Sequence, residues 1–334
     1  MRALGFASRR ALHARKRKAV HLLACQWLDN ARQRTAVTRR ILSLIAGTIV
    51  LITIVGVYGV GWMLSRPVPA QIGAPPADLH AEDVAFGSAS GSVIRGWLSR
   101  GTRHGGVVLL LPGVRANRLA MIERARFLRA AGYATLLIDF QATGESPGEA
   151  ITFGWRERFD VIAAVTRIRQ ELPGERIGII GTSLGGAATV LAARELDVQA
   201  AVLEAVYPSI DVAVENRLRM RLGSIGAAMS PLLLTQLRLR LGVAPSELRP
   251  VEHIASLRCP ILIVGGDVDE HTTADDTRRL YAAARSPREL WLVPGKAHVD
   301  LLRAARDEYR RRVLRFLGRA LRKEQADESS PWTP

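Results

Sequence analysis

The run at residues 176–186, Arg-Ile-Gly-Ile-Ile-Gly-Thr-Ser-Leu-Gly-Gly, constrains this chain more than any other stretch. Its Ile-rich start reads as a buried strand. It ends in Gly181-Thr182-Ser183-Leu184-Gly185, a G-x-S-x-G pentapeptide, after which Ala187, Ala188, Val190 and Leu191 recur at helical spacing. Strand, glycine-flanked serine and helix together are the context of a nucleophile elbow. The tight turn strains the serine and exposes its hydroxyl at the carboxyl end of a sheet. The plainer alternative is a strand-to-helix turn in which the serine only caps the helix. A working elbow needs a base, an acid and an oxyanion hole elsewhere in the chain.

The N-terminal quarter sets the setting. Residues 1–40 hold eleven Lys or Arg against one Asp, so most of the net charge of +16 sits in this leader. The basic balance therefore describes the leader and says little about the substrate of the rest. Nucleic-acid binding has charge alone in its favour; the leader's Lys and Arg also suit anionic lipid head groups. Residues 41–64 are 24 residues without a charge, long enough to cross a bilayer as a helix. Tyr58 and Trp62 suit the far interface. The positive-inside rule then predicts a single-pass protein of the cell membrane, with a cytoplasmic leader and everything after Arg66 on the other side. A cleaved signal peptide is the competitor, with Val68-Pro69-Ala70 as its site, but the apolar run exceeds an ordinary signal core. Residues 65–78, with Ala74-Pro75-Pro76, read as a linker, and residues 323–334 as a polar tail. The two cysteines, Cys25 and Cys259, have no metal or redox spacing.

Within residues 79–322, short apolar runs alternate with helical patterns. Strands are expected at 82–86, 93–99, 106–111, 133–140, 176–182, 200–205, 260–265 and 289–293. Helices are expected at 119–131, 155–171, 274–284 and 301–321. Such alternation predicts a mostly parallel sheet covered by helices on both faces, with ligands at the carboxyl ends of its strands. Residues 207–254 interrupt the pattern with helical stretches at 212–222 and 230–241, broken at Gly223, Gly242 and Pro245. They are expected to form a small helical cap over that edge.

A serine alcohol needs a base. Of seven histidines, His298 lies just past the last expected strand, in Val293-Pro-Gly-Lys-Ala-His298-Val-Asp300, at the edge where Ser183 also emerges. The base needs a carboxylate to fix its tautomer. The strand at 260–265 runs into Gly266-Asp267-Val268-Asp269, and Asp269 has the longer reach; Asp267 and Glu204 are the alternative acids. The order Ser183, Asp269, His298 is that of a nucleophile-elbow hydrolase. The oxyanion hole needs two backbone N–H donors. These are expected from Leu184, opening the helix after the elbow, and from Val114, in the Pro112-Gly113-Val114-Arg115 loop. Arg115 either faces solvent or turns into the pocket to prefer an acidic substrate group.

With these residues in place, the chain resembles the α/β-hydrolase superfamily over about 82–321. The matching features are Pro112-Gly113 where the family often has His-Gly, Asp139-x-x-x-x-Gly144-x-Ser146, the elbow, Gly266-x-x-Asp269 and His298. The compact cap and the Asp139 motif are most similar to its membrane-anchored and serine-aminopeptidase-like branches. The resemblance implies an α/β-hydrolase fold and hydrolysis through an acyl-serine, with no metal or organic cofactor. Pro112 departs from the family's histidine, which removes side-chain support from the oxyanion loop.

The leading expectation is a serine hydrolase of a small-molecule carboxylic ester or thioester. An aminopeptidase or amidase would need an acidic subsite for a substrate ammonium group, for which Glu204, Asp211 and Glu215 are the nearby carboxylates. A non-catalytic, membrane-anchored binding protein is the expectation from a different class, and it would be favoured by a degenerate triad.

Overall fold

A computed structural model describes residues 4–322; the expected polar tail at 323–334 lies outside the described residues. The chain divides into two compact units between Gly59 and Val60. One helix, α1 (Leu4–Ser65), takes in the leader and the apolar run, and is long and apolar enough to cross a membrane.

The second unit opens with the last turn of α1 and is built on an eight-stranded sheet. After β1 (Val68–Pro69) come β2 (Ala81–Gly87), β3 (Val93–Ser99) and β4 (Val107–Leu111), then α2 (Ile122–Ala130) and β5 (Ala134–Ile138). The short β6 (Thr143–Gly144) is followed by α3 (Glu157–Glu171), β7 (Ile177–Thr182), α4 (Leu184–Leu191) and β8 (Ala200–Glu204). The cap helix α5 (Ile210–Gln236) precedes α6 (Pro250–His253), β9 (Ile261–Gly266), α7 (Ala274–Ala283), β10 (Arg288–Val293), α8 (Leu301–Ala304) and α9 (Arg306–Leu321). The order across the sheet is β10-β9-β8-β7-β4-β5-β3-β2, and β3 alone runs against its neighbours.

Every residue of β4, β5, β8 and β9 is buried, which is why these strands read as continuous apolar runs rather than alternating ones. Each buried Leu or Ile contributes about 1.5–3 kcal/mol of transfer free energy. Two apolar layers flank the sheet, one centred on α3 and α4, the other on α2 and α9. The result is the mostly parallel, doubly covered sheet expected of an α/β-hydrolase fold.

Two segments differ from the sequence expectation, residues 65–78 and the last helix. Residues 65–78 are not a free linker. β1 pairs in parallel with β6, and the amides of Ile72 and Gly73 donate to Glu145 Oε1 at 2.9 and 3.1 Å. Extended backbone needs partners for its amides, and here β6 and the Glu145 carboxylate supply them. The cap keeps its two expected helical stretches: α5 is broken by non-helical backbone at Gly223 (φ 62, ψ −148), and its second part continues as a wide turn over Leu237–Leu241 up to Gly242. The last expected helix is two, because Ala305 takes φ −144, ψ 50 between α8 and α9.

Candidate active site

Ser183 sits where β7 ends and α4 begins, with φ 49 and ψ −105. A positive φ in a non-glycine residue stores strain and marks a constrained position. The flanking glycines are sterically required: a Cβ on Gly181 would lie 2.6 Å from Gly186 N, and one on Gly185 would lie 2.5 Å from Leu111 O. The Ser183 amide donates to Glu204 O at 2.7 Å, which fixes the turn against the neighbouring strand.

His298 lies in the loop after β10, and its Nδ1 is 2.8 Å from Asp269 Oδ2. A carboxylate only accepts, so Nδ1 carries the proton in this pair and Nε2 is left as the free acceptor. Asp269 is buried, and its other oxygen, Oδ1, accepts from the amides of His271 (2.8 Å) and Thr272 (2.9 Å). The structure thus joins the expected base to the preferred acid. Ser183 Oγ and the His298 ring are not hydrogen-bonded to each other; such contacts are often long before substrate binds.

The two alternative acids are engaged elsewhere. Asp267 accepts from Gly295 N at 2.6 Å and braces the turn that leads to His298. Glu204 is buried, pairs with Arg124 Nη2 at 2.6 Å, and also accepts from Tyr309 OH. Arg124 continues to Asp300, which caps α8 two residues beyond His298. Glu204 therefore holds the elbow through its carbonyl and the far side of the site through its carboxylate.

Gly113 approaches the elbow closely: a Cβ there would lie 3.8 Å from Ser183 Cβ. Val114 and Leu184 line the same cavity as Ser183, at the two positions expected to supply oxyanion donors. That cavity, of about 110 Å³, lies between the elbow, the cap and the last turn of α1. Its walls include Leu64, Phe153, Leu234 and Leu237, and they are mostly apolar. Among the described residues three arginines, Arg115, Arg217 and Arg240, reach it and no aspartate or glutamate does.

Sequence reasoning missed Arg217, the His271 ring and the last turn of α1. The His271 ring packs on His298 with centroids 4.8 Å apart, and burial, followed by the His298 charge, lowers its pKa. His271 therefore stays neutral more readily than an exposed histidine and spares His298 a second cation. Gly61 and Leu64 belong to the charge-free run, and hydropathy alone gave no reason to place them at a pocket. Among the described residues there is no cluster of side chains suited to a metal ion. Both cysteines are free; burial pushes the Cys259 thiol up to about 12.

A parallel sheet with one reversed strand, a strained serine at its carboxyl edge and a His–Asp pair on the following loops define an α/β hydrolase, and the chain belongs to that superfamily. The family described as serine aminopeptidase, S33, matches residues 102–242. The uncharacterized protein Rv2307c of Mycobacterium tuberculosis is 32% identical over 243 residues, which are 70% of this chain and 77% of that protein. The uncharacterized protein YqkD of Bacillus subtilis is 24% identical over 69% of this chain and 77% of its own length. Among solved structures, the esterase PF2001 of Pyrococcus furiosus superposes with a TM-score of 0.64 at 24% identity, over 77% of this chain and 98% of that one. The match to that esterase supports the fold.

Proposed function

We propose that this protein hydrolyses carboxylic esters through an acyl-serine intermediate, with Ser183, His298 and Asp269 as its triad. The observation that carries this reading is the strained Ser183 at an apolar cavity, together with a His298 ring whose Nδ1 is held by a buried carboxylate. Ser183 Oγ attacks the acyl carbon while His298 Nε2 takes its proton. The Leu184 and Val114 amides receive the oxyanion. The tetrahedral intermediate collapses, the leaving alcohol takes the proton from His298, and water, activated by the same ring, releases the acid.

The aminopeptidase alternative has less support, despite the family description. Glu204 is committed to Arg124 and Tyr309, Glu215 pairs with Arg219, and neither they nor Asp211 line the cavity. A thioester would suit the same machinery. Labelling with a fluorophosphonate probe tests the reading: the intact protein should label and Ser183→Ala should not. Absence of label on folded wild-type protein would remove the proposal.

The setting is also part of the proposal. The apolar run of α1 serves as an uncleaved anchor, the basic leader faces the cytoplasm and anionic lipid, and the hydrolase unit faces away from it. Reporter fusions at the carboxyl terminus check this orientation; activity of a cytoplasm-only reporter there would reverse it.

A further inference from the structure

We propose that Arg217, assisted by Arg115, forms an anion subsite that selects acyl esters carrying a second acidic group, a carboxylate or phosphate, on an apolar chain. This rests on the esterase reading of the site and names its substrate class. Both residues line the cavity beside Ser183. Arg217 Nη1 donates to Ala213 O, one turn back on its own helix, at 2.9 Å. Arg115, held at φ 61 directly after the oxyanion residue Val114, places Nη1 2.9 Å from Met63 O. Neither guanidinium is ion-paired with a carboxylate among the described residues, although each has five N–H donors.

Asp269 is the carboxylate whose charge acts on Arg217, and its oxygens already accept from His298, His271 and Thr272. Burial lowers the Arg217 pKa, the mark of a cation held partly out of water. A desolvated, unpaired cation is costly, and arginine's planar fork matches carboxylate or phosphate in two parallel hydrogen bonds. Leu64, Phe153, Leu233, Leu234 and Leu237 suit a hydrocarbon chain, and among the described residues no carboxylate lines the cavity to pair an ammonium group. Acidic group and apolar chain together describe an anionic amphiphile. It can arrive as a soluble monoester or as an acidic lipid of the bilayer that a helix ending in Leu64 would cross.

The test uses the full chain in neutral detergent. The rates kcat/KM are compared for 4-nitrophenyl octanoate and mono-4-nitrophenyl octanedioate, which differ by one terminal carboxylate. Wild type should favour the acidic ester tenfold or more. Arg217→Gln should bring the ratio close to one, Arg217→Lys should keep part of it, and the exposed Arg238→Gln should leave the ratio as in wild type. Equal rates in wild type, or a preference that survives Arg217→Gln, overturns the subsite. A second measurement is independent of turnover: dodecyl phosphate should raise the Tm of wild type and not of Arg217→Gln, whereas dodecanol should not separate them. Ser183 labelling in the same preparation distinguishes the two failures. Labelled protein without an anion preference sinks the subsite alone, and unlabelled protein sinks the esterase reading. Fatty-acid release from phosphatidylglycerol vesicles, exceeding that from phosphatidylcholine, assigns the bilayer as source; cleavage of the soluble monoester alone assigns a soluble one.

Discussion

Asp269 accepts hydrogen bonds from His298, His271 and Thr272, so its carboxylate orients the His298 ring and the loop at once. Asp269→Asn keeps the shape but presents an N–H where Nδ1–H needs an acceptor, which favours the wrong tautomer. Its kcat on an aryl ester should fall roughly 10⁴-fold, with the fold retained by circular dichroism. Asp160 is a second buried acid with a different role. It accepts from Ser88 Oγ at 2.6 Å and from Gln141 N at 2.9 Å, and burial, with Glu157 nearby, raises its pKa from 3.8 to about 7. The folded state therefore holds this proton more tightly than the unfolded chain. Its contribution to stability is complete below pH 3.8 and is lost as pH rises through about 7. The effect is on the order of 1–4 kcal/mol. In Asp160→Asn, Tm should decline less between pH 5 and 8 than in wild type; parallel curves would remove Asp160 as the cause.

The cap is set by two backbone positions. Gly223 adopts φ 62, ψ −148, a region open to glycine, and nothing lies within 4 Å of where a Cβ would be. Gly223→Ala thus tests backbone strain free of steric clash. It should cost about 1–3 kcal/mol, read as a lower Tm or as faster hydrogen exchange along α5. Both breaks in this region, Gly223 and Gly242, were legible as glycines in an apolar, helical stretch. The break at Ala305 was not, because neither glycine nor proline marks it. The strands were legible because burial on both faces makes them apolar runs. β1 was not, since two residues are too few to show a period. Ser183, His298 and Asp269 were legible from their places after successive strands. Glu204 stayed open as an alternative acid because its partner Arg124 is 80 positions away and its partner Tyr309 is 105. Arg217 was hidden among the arginines of a segment whose faces the sequence does not distinguish.

At the scale of the whole molecule, the segment that begins as the end of a membrane-length helix takes part in the hydrolase unit. Met63 O accepts from Arg115, Ser65 O accepts from Ile151 N at 2.8 Å, and Ser65 Oγ accepts from Arg240 at 3.0 Å. Residues 68–73 then continue the attachment through β6 and Glu145. A chain shortened to residues 70–334 loses all the contacts before residue 70. It should unfold several degrees below the full chain in the same detergent, by differential scanning calorimetry; equal Tm values would make the helix end dispensable.

Gly61 and Leu64 give this attachment a further meaning, because they are part of the wall against which a substrate chain would lie. Proteolysis near Ala70 would remove more than a membrane-length helix. It would unroof one side of the chamber and change the length and bulk of chain the chamber accepts.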